Sequence, residues 1–417
     1  MYHCQHRKSC AQLGSDEWDL SVGVTVSKRR VGVVRLFETA HEAVVDLELD
    51  RLVKIYVCGI TPYDSAHLGH AKVYLTFDVL QRRLRDLGHE TRCVRNVTDV
   101  DDDILRKARE LGVHYLDLAA EEMARFDADM AQLGLVPTWA EPRATSAISE
   151  ILSLIGQAID RGYAYESNGS VYFDVSRVSS FGELSHLGKD AMVELARDNG
   201  GNPEDPNKDD PLDFVLWQPS LSDEPAWESR YGPGRPGWHV ECSALAIREL
   251  GATIDIHGGG RDLVFPHHEC ERVQSESVTG EKFVRYWLHV GLVGYEGEKM
   301  SKSLGNLVFV GELLKEWEPQ VVRLALLSHH YREDWEWTGA ELKDASRRLD
   351  VWRAAQGGKG SFADETLPDP ASLVEVRERL DDDLDTPGAL RAIDERARRD
   401  EPILKAAELL GVGVDRL

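Results

Sequence analysis

Leu52-Val53-Lys54-Ile55-Tyr56-Val57-Cys58 leads through a turn to His67-Leu68-Gly69-His70, the run Ala71 to Leu87, Gly88, and then Thr91-Arg92-Cys93-Val94-Arg95-Asn96-Val97. The first run is short, β-branched and closed by turn residues, as a buried parallel strand is. Apolar residues at Val73, Leu75, Phe77, Val79, Leu80 and Leu84 give the next segment a helical face, and Gly88 supplies its stop. Strand, helix, strand at this spacing predicts a βαβ unit. It sets His67 and His70 beside the helix N-terminus, where backbone N–H groups and the dipole attract phosphate.

A second α/β half is expected around Gly237 to Val293. Between the halves, Ile148 to Ile159 reads as a helix ending at Gly162. Asn168-Gly169, flanked by Tyr163-Ala164-Tyr165 and Ser170-Val171-Tyr172-Phe173, reads as a hairpin. Asp198 to Pro211, rich in Asn, Gly, Pro and Asp, reads as a loop or a disordered insert. After Ser303 the chain reads helical, with a flexible break from Gln356 to Pro370 and one short amphipathic helix over Glu401 to Leu417. The expected fold is α/β: a doubly wound, Rossmann-like parallel-sheet nucleotide-binding core with an inserted connective segment and an α-helical C-terminal domain. The expected divisions are a mobile tail over 1–33, a first core half over 34–144, the insert over 145–230, a second core half over 231–303 and a helical domain over 304–417. No internal repeat is present.

Of 417 residues, 42% are apolar and 29% charged, which fits a globular chain of two to four domains. No apolar run approaches a membrane span, and the opening stretch lacks the apolar core of a leader. The expectation is a cytoplasmic protein with no membrane partner. Six cysteines scattered over this length suit reduced thiols and metal ligation better than a disulfide framework. Cys4, His6 and Cys10 share one short stretch without a second ligand pair, a weak metal set in a tail. A net charge of −24 argues against a surface that grips nucleic acid throughout, though not against a local basic patch.

Taken alone, His67 and His70 are a histidine pair on one helix face, most often structural, with Gly69 letting backbone approach a phosphate. Lys299-Met300-Ser301-Lys302-Ser303 offers two ammonium groups and two hydroxyls to a polyphosphate, where the bland reading is a solvated basic turn. The two signals together make coincidence a poor account. Cys58 ends a strand, Cys242 sits in Gly237-Trp238-His239-Val240-Glu241-Cys242, and His267 and Glu271 stand at i and i+4. Two thiolates, an imidazole and a carboxylate suit Zn²⁺, although a buried apolar role is the usual reading of any one cysteine.

These motifs resemble the "HIGH" and "KMSKS" signatures of class I aminoacyl-tRNA synthetases. The resemblance implies an ATP site at His67, Gly69, His70, Lys299, Ser301, Lys302 and Ser303, with Mg²⁺ accompanying ATP. It also implies that His67, His70, Lys299 and Lys302 stabilise the transition state as a carboxylate attacks the α-phosphorus. Cys58, Cys242, His267 and Glu271 look like the zinc set of the cysteinyl members, in which the metal binds the substrate thiolate and so rejects serine. Glu271 is then either a fourth ligand or the member displaced by substrate. Further matches are Thr61, Asn96 to Asp102, Trp238, His257-Gly258-Gly259-Gly260 and Asp262, implying an L-cysteine pocket formed by Thr61, Thr98, Trp238, His257 and Asp262. The similarity runs from about Val34 to Ile393.

Two branches of that family divide the remaining signals. Cys58 to Asp64, Tyr74 to Asp78, His330 to Asp334 and Asp383 to Pro387 look like the mycothiol-pathway cysteine ligases, which join cysteine to the amine of glucosaminyl-inositol. Glu271, Asp213 to Trp217 and Glu141 to Thr145 look like the tRNA synthetases. The stretch after Ser303 is short for a helical bundle plus an anticodon-reading domain, which favours a small amino-sugar acceptor over tRNA. A degenerate nucleotide or zinc sensor is the reading of another class, opposed by intact His67, His70, Lys299 and Lys302. Oligomeric state stays open.

Overall fold

The computed structural model describes residues 33–300, 305–356 and 369–414. The expected tail with Cys4, His6 and Cys10, and most of the break expected from Gln356 to Pro370, lie outside those residues.

A hairpin of β1 (Arg35–Glu38) and β2 (Ala43–Asp46) precedes the predicted βαβ unit. That unit is β3 (Leu52–Ile60), α1 (Leu68–Asp86) and β4 (Glu90–Val97), with β3 and β4 parallel. The helix begins at Leu68 rather than Ala71 because His67 is its N-cap, the ring Nδ1 accepting from the Gly69 N–H. Next come α2 (Asp102–Leu111), capped by Asp101, α3 (Tyr115–Gln132) and α4 (Ile148–Asp160). An antiparallel sheet follows, ordered β5 (Ala164–Ser167), β6 (Ser170–Phe173), β7 (Phe214–Pro219) and β8 (Gly234–Pro236), with α5 (Lys189–Asp198) before β7. Its first turn holds Asn168 and Gly169 at φ of 50° and 83°, the left-handed pair that a two-residue hairpin needs.

The chain then returns to the core through α6 (Trp238–Leu250), β9 (Ile254–Gly260), α7 (Glu269–Thr279) and β10 (Val284–Val290). The central sheet is parallel and ordered β10-β9-β3-β4. Strand order reverses between β3 and β9, and the carboxyl ends there form the crevice that doubly wound sheets use for ligands.

Beyond the core lie β11 (Val293–Tyr295), β12 (Glu298–Lys299), α8 (Val310–Glu316), α9 (Pro319–Leu327), β13 (Trp335–Trp337), α10 (Ala340–Gln356), α11 (Ala371–Asp381), α12 (Thr386–Ala397) and α13 (Leu404–Leu409). The expectation of helix throughout after Ser303 needs correcting at β13, which pairs in parallel with β11 and turns Trp337 into the core. The last helix is also shorter than expected, bounded by Pro402 before it and by Gly411, at φ 71°, after it.

Alternation along β3 divides its side chains between two cores. Val53, Ile55 and Val57 pack with Leu75 and Leu80 of α1, while Tyr56 and Cys58 pack with Cys242, Leu250 and Trp287 on the opposite face. Each fully buried aliphatic side chain here contributes about 1.5–3 kcal/mol. A separate cluster around Ile151, Phe173 and Trp217 holds the antiparallel sheet to α4 and α6. Among the described residues no helix is long and apolar enough to cross a membrane.

Candidate active site

Cys58, near the carboxyl end of β3, meets Cys242 from α6, His267 from the turn that leads into α7 and Glu271 from α7. One donor atom from each of the four lies within 4.8 Å of the others, and all four residues are buried. Glu271 Oε1 stands 2.9 Å from His267 Nε2 and accepts from Cys58 Sγ at 3.4 Å; its Oε2 lies 3.1 Å from His257 Nε2. The predicted i, i+4 relation holds although the chain kinks at Phe265, because His267 already enters the turn that becomes α7. Gly237 is needed just before α6, since a Cβ there would fall 2.0 Å from the Val215 carbonyl oxygen.

The four groups polarise one another. The contact with Cys58 draws the Cys242 thiol down to about 7 against burial, while burial pushes Cys58 well up. Burial works against charge on both His267 and Glu271. The Glu271 and Cys242 charges nevertheless hold His267 up at about 10, and the His267 and His257 rings hold Glu271 down at about 2. The set thus holds a thiolate and a carboxylate against a charged His267, whose proton a divalent cation would displace on binding.

Aromatic and imidazole rings enclose this set. Trp238, the first residue of α6, stacks on His267 with ring centres 4.1 Å apart, and His257 lies 4.8 Å from the Trp287 ring. Sequence reasoning passed over His239, His268, Trp287 and His289. His239 Nδ1 is 2.9 Å from His267 Nδ1, and His268 Nε2 is 3.2 Å from Cys58 Sγ. His268 Nδ1 continues to His289 Nε2 at 2.7 Å, and His289 Nδ1 to the Thr39 hydroxyl at 2.7 Å. His257 and His268 also form a second four-residue group with Cys58 and Glu271. The available signal was period two on β10, where Trp287 pairs with His257 and His289 lies on the same face.

Thr61 and Thr98 stand where β3 and β4 leave the sheet. The Thr61 hydroxyl donates to Asp101 Oδ2 at 2.8 Å; the Thr98 hydroxyl accepts from Asn96 Nδ2 at 3.1 Å, and Asn96 Oδ1 takes the Gly59 N–H at 2.7 Å. Burial pushes Asp101 up to about 6. Glu241, beside Cys242, is also buried, and burial followed by the Asp101 charge raises it well above the carboxylate range. Asp262 lies on the turn Arg261–Leu263, exposed and outside the buried set.

At the other flank, the His67 and His70 rings stack with centres 3.8 Å apart. Gly69 leaves room for that arrangement: a Cβ would fall 2.8 Å from His67 Cε1. The Leu68 N–H donates to the Val308 carbonyl and the Val310 N–H to the Ala66 carbonyl, both at 2.9 Å, so the chain just after the second motif is laced to the first. Lys299 ends β12, paired with Gly294, and the buried Met300 donates its N–H to Val293. Ser301, Lys302 and Ser303 lie outside the described residues.

A parallel sheet with a switch point, a histidine-capped helix at its carboxyl edge and an inserted antiparallel sheet define the class I synthetase fold. Solved structures agree. The chain is similar to Mycobacterium tuberculosis methionyl-tRNA synthetase in complex with methionyl-adenylate, with a TM-score of 0.61 at 17% identity over 83% of this chain and 82% of that one. Residues 44–347 match the model of the tRNA synthetases class I (C) catalytic domain, and the chain belongs to that family. A relative from Parafrankia sp. (strain EAN1pec), the L-cysteine:1D-myo-inositol 2-amino-2-deoxy-alpha-D-glucopyranoside ligase, is 49% identical over 87% of this chain and 81% of its own length. The ligase of that name from Acidothermus cellulolyticus is 46% identical over 92% of this chain and 94% of its own. The chain is an enzyme of the ligase class.

Proposed function

We propose that the chain is an ATP-dependent, AMP-forming cysteine ligase. It would convert L-cysteine and MgATP to cysteinyl adenylate and pyrophosphate, then transfer the cysteinyl group to the amine of glucosaminyl-inositol in mycothiol biosynthesis, in the cytoplasm. The observation that carries this reading is the buried Cys58, Cys242, His267 and Glu271 set beneath Trp238, in the crevice whose other flank is the His67 cap. Zinc held by those four residues would supply a soft Lewis-acid position that selects a thiolate over the hydroxyl of serine.

His67, His70, Lys299 and Lys302 neutralise charge that develops on the phosphates, with Gly69, Ser301 and Ser303 cradling them. Thr61, Thr98, Trp238, His257 and Asp262 line the cysteine pocket. The acceptor amine attacks the activated carbonyl with loss of AMP, forming an amide. The division into core halves over 34–144 and 231–303, an insert over 145–230 and a helical region over 304–417 belongs to the same proposal; it is supported by the antiparallel sheet lying between the two runs of parallel strands.

Charging of a cysteine tRNA is the second reading, favoured by the place of Glu271 in the metal set and by the tRNA synthetase family model. Labelled cysteine offered side by side to the amino sugar and to unfractionated tRNA separates the two. Acid-stable amide on the sugar is the expected product. Acid-precipitable cysteine on tRNA, with none on the sugar, would replace the first reading by the second.

A further inference from the structure

The pairing of β3 with β4 slips just where the metal set begins. Val57 pairs with Arg95 and Ile60 with Val97, so three steps along β3 are taken against two along β4, and the last β3 residue paired with β9 is also Val57. Such a bulge is uncommon between parallel strands, and its effect is to re-aim a side chain. Cys58 and Gly59 are the two residues inside the slip, and Cys58 supplies the sulfur of the metal set.

Side chains hold the backbone at that point. Asn96 Oδ1 takes the Gly59 N–H at 2.7 Å, and the Tyr74 hydroxyl, reaching from α1, donates to the Cys58 carbonyl at 3.2 Å in a buried contact. The strands come so close that a Cβ on Gly59 would fall 1.5 Å from the Asn96 carbonyl oxygen, which only glycine avoids.

Tyr74 is itself held firmly. Its buried ring meets Phe126 edge-on, with centres 5.4 Å apart, and the Arg95 guanidinium lies 5.1 Å from the ring centre. Arg95 is in turn fixed by Asp127 at 3.2 Å and by Glu141. A hydroxyl on so constrained a ring fixes the group that accepts from it. Here that group is the carbonyl of a metal-set cysteine, and groups that orient ligands in this way set metal affinity.

We propose that Tyr74 is a positioning residue for the metal centre: its hydroxyl pins the Cys58 carbonyl across the bulge and so sets where the Cys58 sulfur stands toward Cys242, His267 and Glu271. The inference deepens the cysteine-ligase reading, because it rests on those four residues holding zinc.

The test compares full-length wild-type, Tyr74→Phe and Leu75→Val proteins. Tyr74→Phe keeps the ring and removes only the hydroxyl. Leu75→Val is the packing control, taking a methylene from a buried α1 side chain while leaving the hydroxyl in place. Each protein is measured for zinc affinity against a competing chelator, for the visible absorption of its Co²⁺-substituted form, which reports ligand geometry, and for thermal unfolding without metal. Tyr74→Phe should weaken zinc binding about tenfold or more and shift the cobalt bands, with metal-free unfolding altered no more than in Leu75→Val. Leu75→Val should keep the zinc affinity and the bands of the wild type. Wild-type zinc affinity or wild-type cobalt bands in Tyr74→Phe, equal weakening in both variants, or loss of the fold in Tyr74→Phe would overturn the positioning role. Wild-type protein that binds no zinc would instead overturn the metal reading beneath it.

Discussion

Two ionic clusters are buried on opposite sides of the β3–α1 unit, and they differ in how completely their polar atoms are matched. Behind α1, Arg323 of α9 is fully buried and donates Nε to the Leu410 carbonyl at 2.8 Å, Nη1 to the Leu133 carbonyl at 3.0 Å and Nη2 to Asp78. Asp78 also accepts from Arg82 Nε at 2.8 Å and from the Val136 N–H at 2.6 Å. In front of β3, Glu271 is shared among Cys58, His267 and His257, yet His257 Nδ1 and both Glu241 oxygens have no hydrogen-bond partner among the described residues. A matched network fixes architecture, here the docking of α1, α9 and the last helix. An unmatched one is tolerated where a ligand completes it.

Breaking the matched cluster should have the largest effect. Asp78→Ala strips the partner from a buried guanidinium and should cost about 3–5 kcal/mol in denaturant unfolding, whereas Arg323→Met, which removes the cation itself, should cost clearly less. Equal losses would mean that the pairing is not what holds α9 to α1. The unmatched cluster should respond the other way round. Cys242→Ala should lose zinc in metal analysis and lower cysteine-dependent exchange by more than about a hundredfold, with a smaller loss of stability than Asp78→Ala. Full metal occupancy in that variant would remove the site.

A smaller change is expected at the phosphate flank. His67→Ala should lower exchange about tenfold through lost transition-state stabilisation, while zinc content is retained.

The smallest effect concerns Lys72, buried on α1, which donates to the Leu326 and His329 carbonyls at the end of α9, at 3.2 and 2.6 Å. Burial lowers its pKa from 10.5 to about 7. The unfolded chain therefore binds the extra proton between those values, so this group's contribution to stability is complete above 10.5 and is lost as pH falls through about 7. Thermal unfolding of wild-type protein should rise between pH 7 and 9 relative to Lys72→Met; parallel profiles would contradict this.

What the sequence disclosed follows the same division. The βαβ unit was legible because β-branched strands, a helical apolar period and Gly88 each act locally, and the hairpin at Asn168-Gly169 for the same reason. That Cys58, Cys242, His267 and Glu271 come together was legible by residue type and by the i, i+4 spacing of the last two, which straddle the start of α7. Asp198 to Pro211 could not be settled between loop and disorder, since its anchors are distant side chains: Tyr172 on Asp205 at 2.8 Å and Lys189 on Asp210 at 2.6 Å. The histidine chain from Cys58 to Thr39 was hidden because Thr39 just after β1, Cys58 of β3, His268 just before α7 and His289 of β10 meet only after folding, and no local period marks that meeting. Strand β13 was hidden because its partner β11 precedes the second phosphate motif while β13 follows it by two helices.

Pyrophosphate exchange with purified protein, ATP and single amino acids tests the central claim most directly, because it needs neither acceptor nor variant. Cysteine should support exchange and serine should not, with activity lost on zinc removal and restored by zinc. Exchange driven equally by serine, or none with cysteine, would contradict the account.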